Sequence, residues 1–589
     1  MIAETDPLPE KRFNDAWLDK PLTRWWSSFT VEKLLIVLII VLALVTRFYN
    51  LGARTMSHDE INHVVPSYTI ENYVYDPVTH GPFQFHALAL SYFLFGDSDF
   101  SARVPAATFG IAVVLFTLFA WRRYLGRLGS LIAALLFTIS PYILFYSRYT
   151  RNEIFIVFWG LVMLWLFLRY LEEGKNKWLL WLTFITAMHY ADKATSFIFS
   201  AEALIFLALL FLVEMNHGRW KTDRAAFQFR LLTLATILAL VLTMGVYALT
   251  KTPAVAATPL EPTQATVTAG MVINSKLPLL AAAGLALALA VSVILTLIRG
   301  LGWEQIRHSR SFDLVVLQLV LILPLLTALP IRILGFDPQD YSQAGIMRSG
   351  AVFVILLLLS LFLGLLWNKK VFPKSMAIFW SIFIILYTTF FTHGEGFFKG
   401  LVGALGYWLS QQAVERGTQP LYYYALVQIP IYEFLPALGT LLALVIGASR
   451  HLFPASVDHP FVSPFKTSQR PVLEENAKVE TMLSRPEDAL APAPAPEPSS
   501  WDADLDLDPD ASTPQAMDEA VPAPYIHWLA RIFRDPPEDS GKAASLPTLV
   551  LLLFWSLISL LAFSLAAERM PWLTTHITMP MILDRNSVL

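Results

Sequence analysis

The segment KLLIVLIIVLALVTRFYNLGARTMSHDEINH, residues 33–63, joins a long apolar run to a polar stretch with two adjacent carboxylates. The apolar part, 33–49, is long enough to cross the roughly 30 Å hydrocarbon core of a bilayer as a helix. The carboxylates Asp59 and Glu60 follow it closely, and charge beside a membrane is costly unless it has a partner or a task. The segment therefore predicts a membrane-spanning helix followed by an acidic site.

The composition of the whole chain is that of a membrane protein. Of its 589 residues, 55% are hydrophobic and only 15% are charged, and the mean hydropathy is +0.53. The alternating pattern of a β-barrel does not occur, so helices must satisfy the backbone inside the bilayer. The lack of cysteine excludes disulfides, thiolate zinc sites and iron–sulfur clusters. The net charge of −3 argues neither for nor against nucleic acid, and we expect no nucleic-acid partner.

Thirteen apolar runs predict an all-α, polytopic integral membrane protein with about 13 transmembrane helices. They lie near residues 33–49, 102–120, 128–147, 154–171, 177–191, 195–213, 230–249, 277–298, 313–331, 350–367, 375–392, 421–447 and 547–567. Two further apolar stretches, 83–95 and 394–409, are interpreted as helices at the membrane interface, the first because it is too short to span.

The basic residues predict the orientation of these helices. With the N-terminus in the cytoplasm, the inward connections are short and basic, whereas the outward ones are longer and sparse in Lys and Arg. No small-residue cleavage site follows the first run, so we expect a retained helix rather than a signal peptide. The inward clusters are Arg122, Arg123 and Arg127; Arg169, Lys175 and Lys177; Arg219, Lys221, Arg224 and Arg230; Arg299, Arg307 and Arg310; and Lys369, Lys370 and Lys374. We therefore expect a multi-pass protein of the cell membrane, with Asp59 and Glu60 on the extracytoplasmic side.

Composition changes abruptly near the end of the chain. Residues 451–545 include APAPAPEP at 491–498 and an acidic run at 502–510. Such a sequence cannot bury a core, so we predict a disordered cytoplasmic linker. Near 525–534, apolar side chains fall on one helical face beside two arginines, which predicts an interfacial helix leading into the last span.

Charged side chains recur in the outward connections. The first connection supplies Asp59, Glu60 and Arg103, the second Arg148, Arg151 and Glu153, and the third Lys193. Carboxylates beside fixed cations at one membrane surface suit a reaction with an anionic lipid phosphate. The carboxylate would deprotonate an acceptor, and the cations would stabilise the departing phosphate.

Simpler interpretations exist for each of these groups. Arg148 and Arg151 could be interfacial residues that extend toward lipid headgroups. Lys193 could form a structural ion pair with its neighbour Asp192. Asp59 and Glu60 could be a loop carboxylate pair. Their joint occurrence on one face favours the functional interpretation.

Two histidines raise the question of a metal. The spacing of His58 and His63 is not that of a zinc protease. Glu60 and His63, however, have the i,i+3 spacing that two ligands on one helix can use. A divalent cation could therefore bridge Asp59, Glu60 or His63 to a phosphate.

In their order and sidedness, these motifs resemble the polytopic GT-C glycosyltransferases, the group with the protein O-mannosyltransferases and the lipid A aminoarabinose transferase. The resemblance covers roughly residues 33–215. It is carried by Asp59-Glu60, His80-Gly81-Pro82, Arg103-Val104-Pro105, Ser147-Arg148 with Glu153, and Lys193. Two departures are His58 before the acidic pair and Glu153 where many relatives carry Asp.

The later part of the chain resembles a bacterial and archaeal branch of this group that is sometimes labelled flippase-associated. The matching stretches are 406–409, 416–424, 432–433 and 568–573. We expect Arg416 and Arg569 to face the same side as Asp59. The resemblance also leads us to expect a final span after Leu573, which the sequence up to Leu589 would give only in shortened form.

The resemblance implies a function. The donor would be a polyprenyl-phosphate-linked sugar and the acceptor an envelope glycan, lipid or protein. Transfer would invert the anomeric centre, with Asp59 as general base and Glu60 or Glu153 positioning the acceptor or a metal. Arg148, Arg151, Lys193, Arg103 and Arg416 would bind the donor phosphate. Two alternatives remain open: a transporter or flippase accessory for lipid-linked saccharides that performs no chemistry, and a membrane scaffold.

The apolar runs, the composition and the resemblance together predict a division of the chain. Residues 1–32 form a cytoplasmic N-terminal segment, 33–215 a GT-C-like catalytic transmembrane module, and 216–450 further transmembrane helices with outward loops. The linker, 451–545, precedes a C-terminal transmembrane helix and an outward end, 546–589.

Overall fold

The computed structural model describes residues 29–250, 269–411, 419–449, 548–566 and 569–584. In these ranges the regular structure is helical and includes no β-strand, which confirms the all-α fold class. The predicted linker at 451–545, its interfacial helix near 525–534, and Arg416 lie outside the described residues.

The α-helices are numbered here in chain order. They are α1 (Val31–Phe48), α2 (His58–Tyr68), α3 (Phe83–Phe95), α4 (Asp99–Phe119), α5 (Arg122–Ile139), α6 (Pro141–Tyr146), α7 (Glu153–Glu173), α8 (Asn176–Tyr190), α9 (Ser196–Asn216), α10 (Asp223–Thr250), α11 (Ala269–Gly300), α12 (Trp303–Arg307), α13 (Arg310–Ile322), α14 (Ala328–Ile333), α15 (Gln343–Trp367), α16 (Phe372–Tyr387), α17 (Glu395–Phe398), α18 (Ala404–Gln411), α19 (Ile429–Tyr432), α20 (Phe434–Ser449), α21 (Thr548–Leu565) and α22 (Thr574–Asp584). Short 3₁₀ turns lie at Ile70–Asn72, Pro77–Thr79, Leu323–Thr327 and Pro571–Leu573, and π-helical turns at Lys399–Gly403 and Tyr423–Gln428.

Eight helices of the described residues are long and apolar enough to cross a membrane. They are α4, α7, α9, α10, α11, α13 continued into α14, α15 and α21. Tyr423–Tyr432 and Phe434–Ser449 would give a ninth span if taken together, but they are bent by 112°. The multi-pass architecture is thus confirmed.

The count of thirteen spans is not confirmed. The four remaining apolar runs form α1, α5, α8 and α16. Helices α8 and α16 have only 15 and 16 residues. Helices α1 and α5 each have 18 residues and carry charged residues near their ends. A bilayer core of about 30 Å takes about 20 residues of helix, so length and composition alone do not establish these four as complete crossings.

Helix α2 begins at His58 because Ser57 and Glu60 cap it reciprocally. The Ser57 hydroxyl accepts a hydrogen bond from the Glu60 N–H at 3.4 Å, and Glu60 Oε2 accepts one from the Ser57 N–H at 3.1 Å. Asp59 therefore lies in the first turn of α2, where the helix dipole favours a carboxylate. The cap fixes where the acidic pair points.

The most buried span is α7, with 94% of its apolar window inside the protein. It packs against α4, α8 and α22. Every residue of α22 is buried. Glu153 is the first residue of α7, so the predicted site lies at the end of the most tightly packed span.

Two glycines let the connecting segments approach closely. A Cβ on Gly110 of α4 would lie 2.3 Å from Ser147 Oγ, and one on Gly81 would lie 2.3 Å from the Ala191 carbonyl oxygen. The Gly81 N–H donates to the Asp192 carbonyl at 2.8 Å. Gly110 thus lets Ser147 approach α4 closely, and Gly81 lets its segment approach the end of α8.

Candidate active site

The three predicted outward connections meet at one face of the bundle. Arg148, before α7, reaches the end of α1, and Arg151 reaches Asp59 on α2. Lys193, after α8, reaches Glu153 at the start of α7. The structure thus brings together residues that are far apart in the sequence.

The centre of this face is a row of alternating charges. Arg151 Nη1 contacts Asp59 Oδ2, and Arg151 Nε lies 3.3 Å from Glu153 Oε1. Lys193 Nζ donates to the same Glu153 oxygen. The side chain of Asp59 is 46% exposed, whereas those of Arg151, Glu153 and Lys193 are buried. Asp59 is therefore the end of the row that an incoming molecule can reach.

Glu60 has a different environment from its neighbour Asp59. Arg103 Nε and Nη2 donate to its two oxygens at 2.8 and 3.0 Å. Arg54 Nη2 adds a bond at 2.8 Å, and the Thr150 N–H adds one at 3.1 Å. Burial opposes ionisation of Glu60, but the Arg103 hydrogen bonds and the backbone N–H groups hold its pKa below the ordinary value.

Arg103 is equally engaged with the protein. Besides Glu60, its Nη1 donates to the carbonyls of Leu51 and Arg54 at 3.0 and 2.8 Å. Its side chain is only 1% exposed. The Glu60–Arg103 pair thus ties α2 to α4 and fixes the base of α2, while the Thr150 N–H joins Glu60 to the second connection.

Stability should depend on pH through Glu60. Because its pKa is lowered on folding, its contribution is present above the unfolded value near 4.5 and is lost as the pH falls through the lower folded value. We expect the melting temperature in detergent to fall steeply below about pH 4.5. The loss should be shallower in Glu60→Gln, which has no titrating group there. If the melting temperature fell with pH to the same extent in both proteins, this assignment would be contradicted.

Arg148 caps a helix. Its Nη1 donates to the carbonyls of Thr46 and Arg47 at 2.7 and 3.1 Å. Its Nη2 donates to those of Tyr49 and Asn50 at 2.8 and 3.3 Å. These carbonyls lie at the C-terminal end of α1, where a cation also suits the helix dipole.

Removal of this cap should affect stability more than transfer. We expect Arg148→Ala to lower the free energy of unfolding by about 1–2 kcal/mol, because charged hydrogen bonds to four carbonyls are lost. The KM for the donor should stay within about threefold of wild type, because Arg148 is engaged by the carbonyls at the end of α1. A threefold change in KM corresponds to less than about 1 kcal/mol of binding free energy. Thermal melts and donor titrations measure the two effects. The exposed Arg332→Ala is the control, and a selective rise in KM would restore Arg148 to the phosphate site.

Asp192 is not the partner of Lys193. Lys193 pairs with Glu153, while Asp192 Oδ1 accepts a hydrogen bond of 2.7 Å from Asn152 Nδ2. Burial raises the pKa of Asp192 well above its usual range. The central row of ion pairs therefore consists of Asp59, Arg151, Glu153 and Lys193.

The two predicted metal ligands are engaged locally. His63 Nδ1 lies 2.9 Å from the Asp59 carbonyl oxygen, and His58 Nδ1 lies 3.2 Å from Asn62 Nδ2. Burial lowers the pKa of His63. Within the described ranges, no group of three or more His, Cys, Asp or Glu side chains is arranged to hold a metal ion. Metal dependence stays a prediction.

Sequence reasoning missed several side chains at this face, among them Arg54, which pairs with Glu60, and Trp572. Trp572, in the 3₁₀ turn before α22, lies under Arg151 with 3.9 Å between Arg151 Cζ and the ring centroid. It falls in the stretch 568–573 that carries part of the resemblance. Tryptophan is common at membrane surfaces, so its presence there does not by itself indicate a functional site. Arg569, in the same stretch, donates from Nε to the Ser564 carbonyl at 3.0 Å and from Nη1 to the Gln419 carbonyl.

Residues 79–247 match the family model of the dolichyl-phosphate-mannose-protein mannosyltransferases. The matched range contains Arg103, the Ser147–Glu153 connection and Lys193, and it begins after Asp59 and Glu60. Over this range the match confirms the resemblance to the polytopic GT-C glycosyltransferases that the sequence motifs predicted. The class of protein that the chain resembles is thus a multi-pass membrane glycosyltransferase.

Two solved structures illustrate the comparison. The archaeal oligosaccharyltransferase AglB from Archaeoglobus fulgidus, in complex with an inhibitory peptide and a dolichol-phosphate, is 16% identical with a TM-score of 0.29, covering 67% of this chain and 53% of that one. ArnT from Cupriavidus metallidurans, bound to undecaprenyl phosphate, is 16% identical with a TM-score of 0.28, covering 64% of this chain and 79% of that one. The chain spans about half the length of the oligosaccharyltransferase structures it matches. Comparison with curated proteins gives no match.

Proposed function

We propose that the protein transfers a sugar from a polyprenyl-phosphate donor to an acceptor at the extracytoplasmic face of the cell membrane, with inversion of the anomeric centre. The observation that carries the proposal is the row Asp59–Arg151–Glu153–Lys193, which ends in one accessible carboxylate. The family match over residues 79–247 supports it. The basic inward connections support the orientation.

Asp59 serves as the general base. The acceptor hydroxyl gives its proton to Asp59 while its oxygen attacks the anomeric carbon of the donor, and the bond from that carbon to the phosphate oxygen breaks. The departing phosphate gains negative charge. Arg151 and Lys193 face this charge, so their attraction is greatest in the transition state.

The resting ion pairs suggest how donor binding prepares the base. Arg151 and Lys193 are each balanced by a carboxylate, so a phosphate must compete with one of them. Asp59 is the half-exposed partner, whereas Glu153 is fully buried, so Asp59 is displaced more easily. A phosphate that takes Arg151 therefore frees Asp59 to accept a proton.

The remaining predicted residues take positioning roles. Glu60 and Arg103 fix the first turn of α2, and Arg148 fixes the end of α1. Glu153 Oε1 lies between the two cations, 2.5 Å from Lys193 Nζ and 3.3 Å from Arg151 Nε.

A second candidate function is transport of a lipid-linked saccharide without chemistry. The observation that favours it is the 112° bend between Tyr423–Tyr432 and Phe434–Ser449, since broken helices mark many transporter sites. Against it stands the one-sided placement of the charges, because alternating access needs polar groups reachable from both faces.

A transfer assay distinguishes the two functions. Purified protein in nanodiscs is given a panel of radiolabelled polyprenyl-phosphate sugars and membrane extract as acceptor, with and without a chelator. We expect label in a new product, formed about 10²–10⁴-fold more slowly when Asp59 is replaced by Asn. Loss of transfer with the chelator would show a metal requirement. Donor binding without turnover across the panel would favour transport.

A further inference from the structure

The guanidinium of Arg151 is held differently from the other cations of the site. Its Cζ lies over the Trp572 ring at 3.9 Å, while its Nη1 contacts Asp59 and its Nε approaches Glu153 at 3.3 Å without hydrogen-bond alignment. Arg103, by contrast, is fixed by hydrogen bonds from Nε, Nη1 and Nη2. An arginine held through its face keeps its N–H groups available for exchange between anions.

Trp572 is itself anchored without help from Arg151. It packs against the buried cluster of Tyr424, Ile429, Phe563, Leu573, Ile577 and Met581. The Tyr424 hydroxyl donates to the Met570 carbonyl at 2.9 Å, which fixes the start of the turn. The following helix α22 is buried throughout. The ring is therefore a rigid support rather than a mobile surface group.

This support has a consequence when Asp59 is displaced. Without the ring, a guanidinium released by Asp59 would move toward the buried Glu153 carboxylate, which already lies 3.3 Å from Nε. That movement would withdraw the cation from the incoming phosphate. The ring face opposes it by filling the adjoining space and attracting the cation.

We propose that Trp572 is a positioning residue of the donor site, which keeps the edge of Arg151 directed at the lipid-linked phosphate. The C-terminal segment thereby completes a site whose row of charges, Asp59–Arg151–Glu153–Lys193, comes from residues 59–193. The inference rests on the proposed function, because it presumes that Arg151 binds the donor phosphate. Trp572 acts through Arg151 and needs no contact with substrate.

The test measures binding of undecaprenyl phosphate, which carries no sugar and cannot turn over, to the full chain in nanodiscs. We expect Trp572→Leu to weaken binding by about tenfold to thirtyfold, the equivalent of a desolvated cation–π contact. Trp572→Phe retains a ring and should stay within about threefold of wild type. The matched control is Trp303→Leu, which removes a ring 6.0 Å from Arg307, outside this cluster.

A double-mutant cycle separates positioning from general stability. In an Arg151→Ala background, Trp572→Leu and Trp572→Phe should cause no further loss of binding, because the residue through which Trp572 acts is gone. If Trp572→Leu does not fold, Trp572→Phe and the cycle still decide. Wild-type binding by Trp572→Leu, equal losses in Trp303→Leu, or additive losses with Arg151→Ala would overturn the inference. No binding by the wild-type protein would instead overturn the proposed function.

Discussion

Replacing Asp59 by Asn is expected to lower sugar transfer by about 10²–10⁴-fold, the usual contribution of a general base. The variant should remain folded, because Asp59 is half exposed and its ion pair with Arg151 is partly open to solvent. Asn has the same shape but cannot take the acceptor proton. Initial rates with a radiolabelled donor and melting curves measure the two properties.

The same variant separates a base from a binding residue. Loss of the Asp59 charge removes the competitor for Arg151, so undecaprenyl phosphate should bind as well as to wild type or more tightly. The exposed carboxylate Asp97, replaced by Asn, is the control for a charge change in the same connection. Transfer at the wild-type rate in Asp59→Asn would remove Asp59 from the mechanism. Weaker lipid-phosphate binding would show that it holds the donor instead.

Replacing Glu60 by Gln is expected to lower the free energy of unfolding by about 3–5 kcal/mol, the usual cost of removing one partner from a buried ion pair. Arg103 would be left with a buried charge, and the Thr150 N–H would face an amide in place of a carboxylate. Chemical or thermal unfolding in detergent measures the loss. Gln can still cap α2, so the effect reports on the charge rather than on the helix start.

The matched control is Glu395→Gln. Glu395 is 59% exposed and pairs with Lys399 at i,i+4, where a surface ion pair contributes about 0–1 kcal/mol. Equal effects of the two substitutions would contradict the structural role of Glu60. A stable Glu60→Gln variant that has lost transfer would place Glu60 in the chemistry.

The apolar runs and basic clusters determined much of this protein by themselves. Every one of the thirteen runs has a helix in the structure, and the stretch 83–95 is the helix Phe83–Phe95. Hydrophobicity is a local property that each segment carries, so it can be read without knowledge of the fold. The same reasoning placed the three charged connections on one face, since each is separated from the next by an even number of predicted crossings.

Only the tertiary structure distinguished neighbours in the same motif. Asp59 and Glu60 are adjacent, but a helix turns about 100° per residue, so one faces the opening and the other faces Arg103. Arg148 and Arg151 are three residues apart, yet one meets the end of α1 and the other meets Asp59. Residue type gives the chemistry of each group, whereas packing decides which partner it meets.

The contact of Arg151 with Trp572 depends wholly on the fold. The two residues lie in distant parts of the chain, and they meet because α22 packs against α7. The sequence by itself determined a multi-pass helical membrane protein with acidic and basic groups on one face, because apolar length and charge are written locally. The tertiary structure alone decided which charged side chain is exposed, which one has all its hydrogen bonds made within the protein, and which ring supports Arg151. These properties arise from contacts between distant segments, which no local pattern encodes.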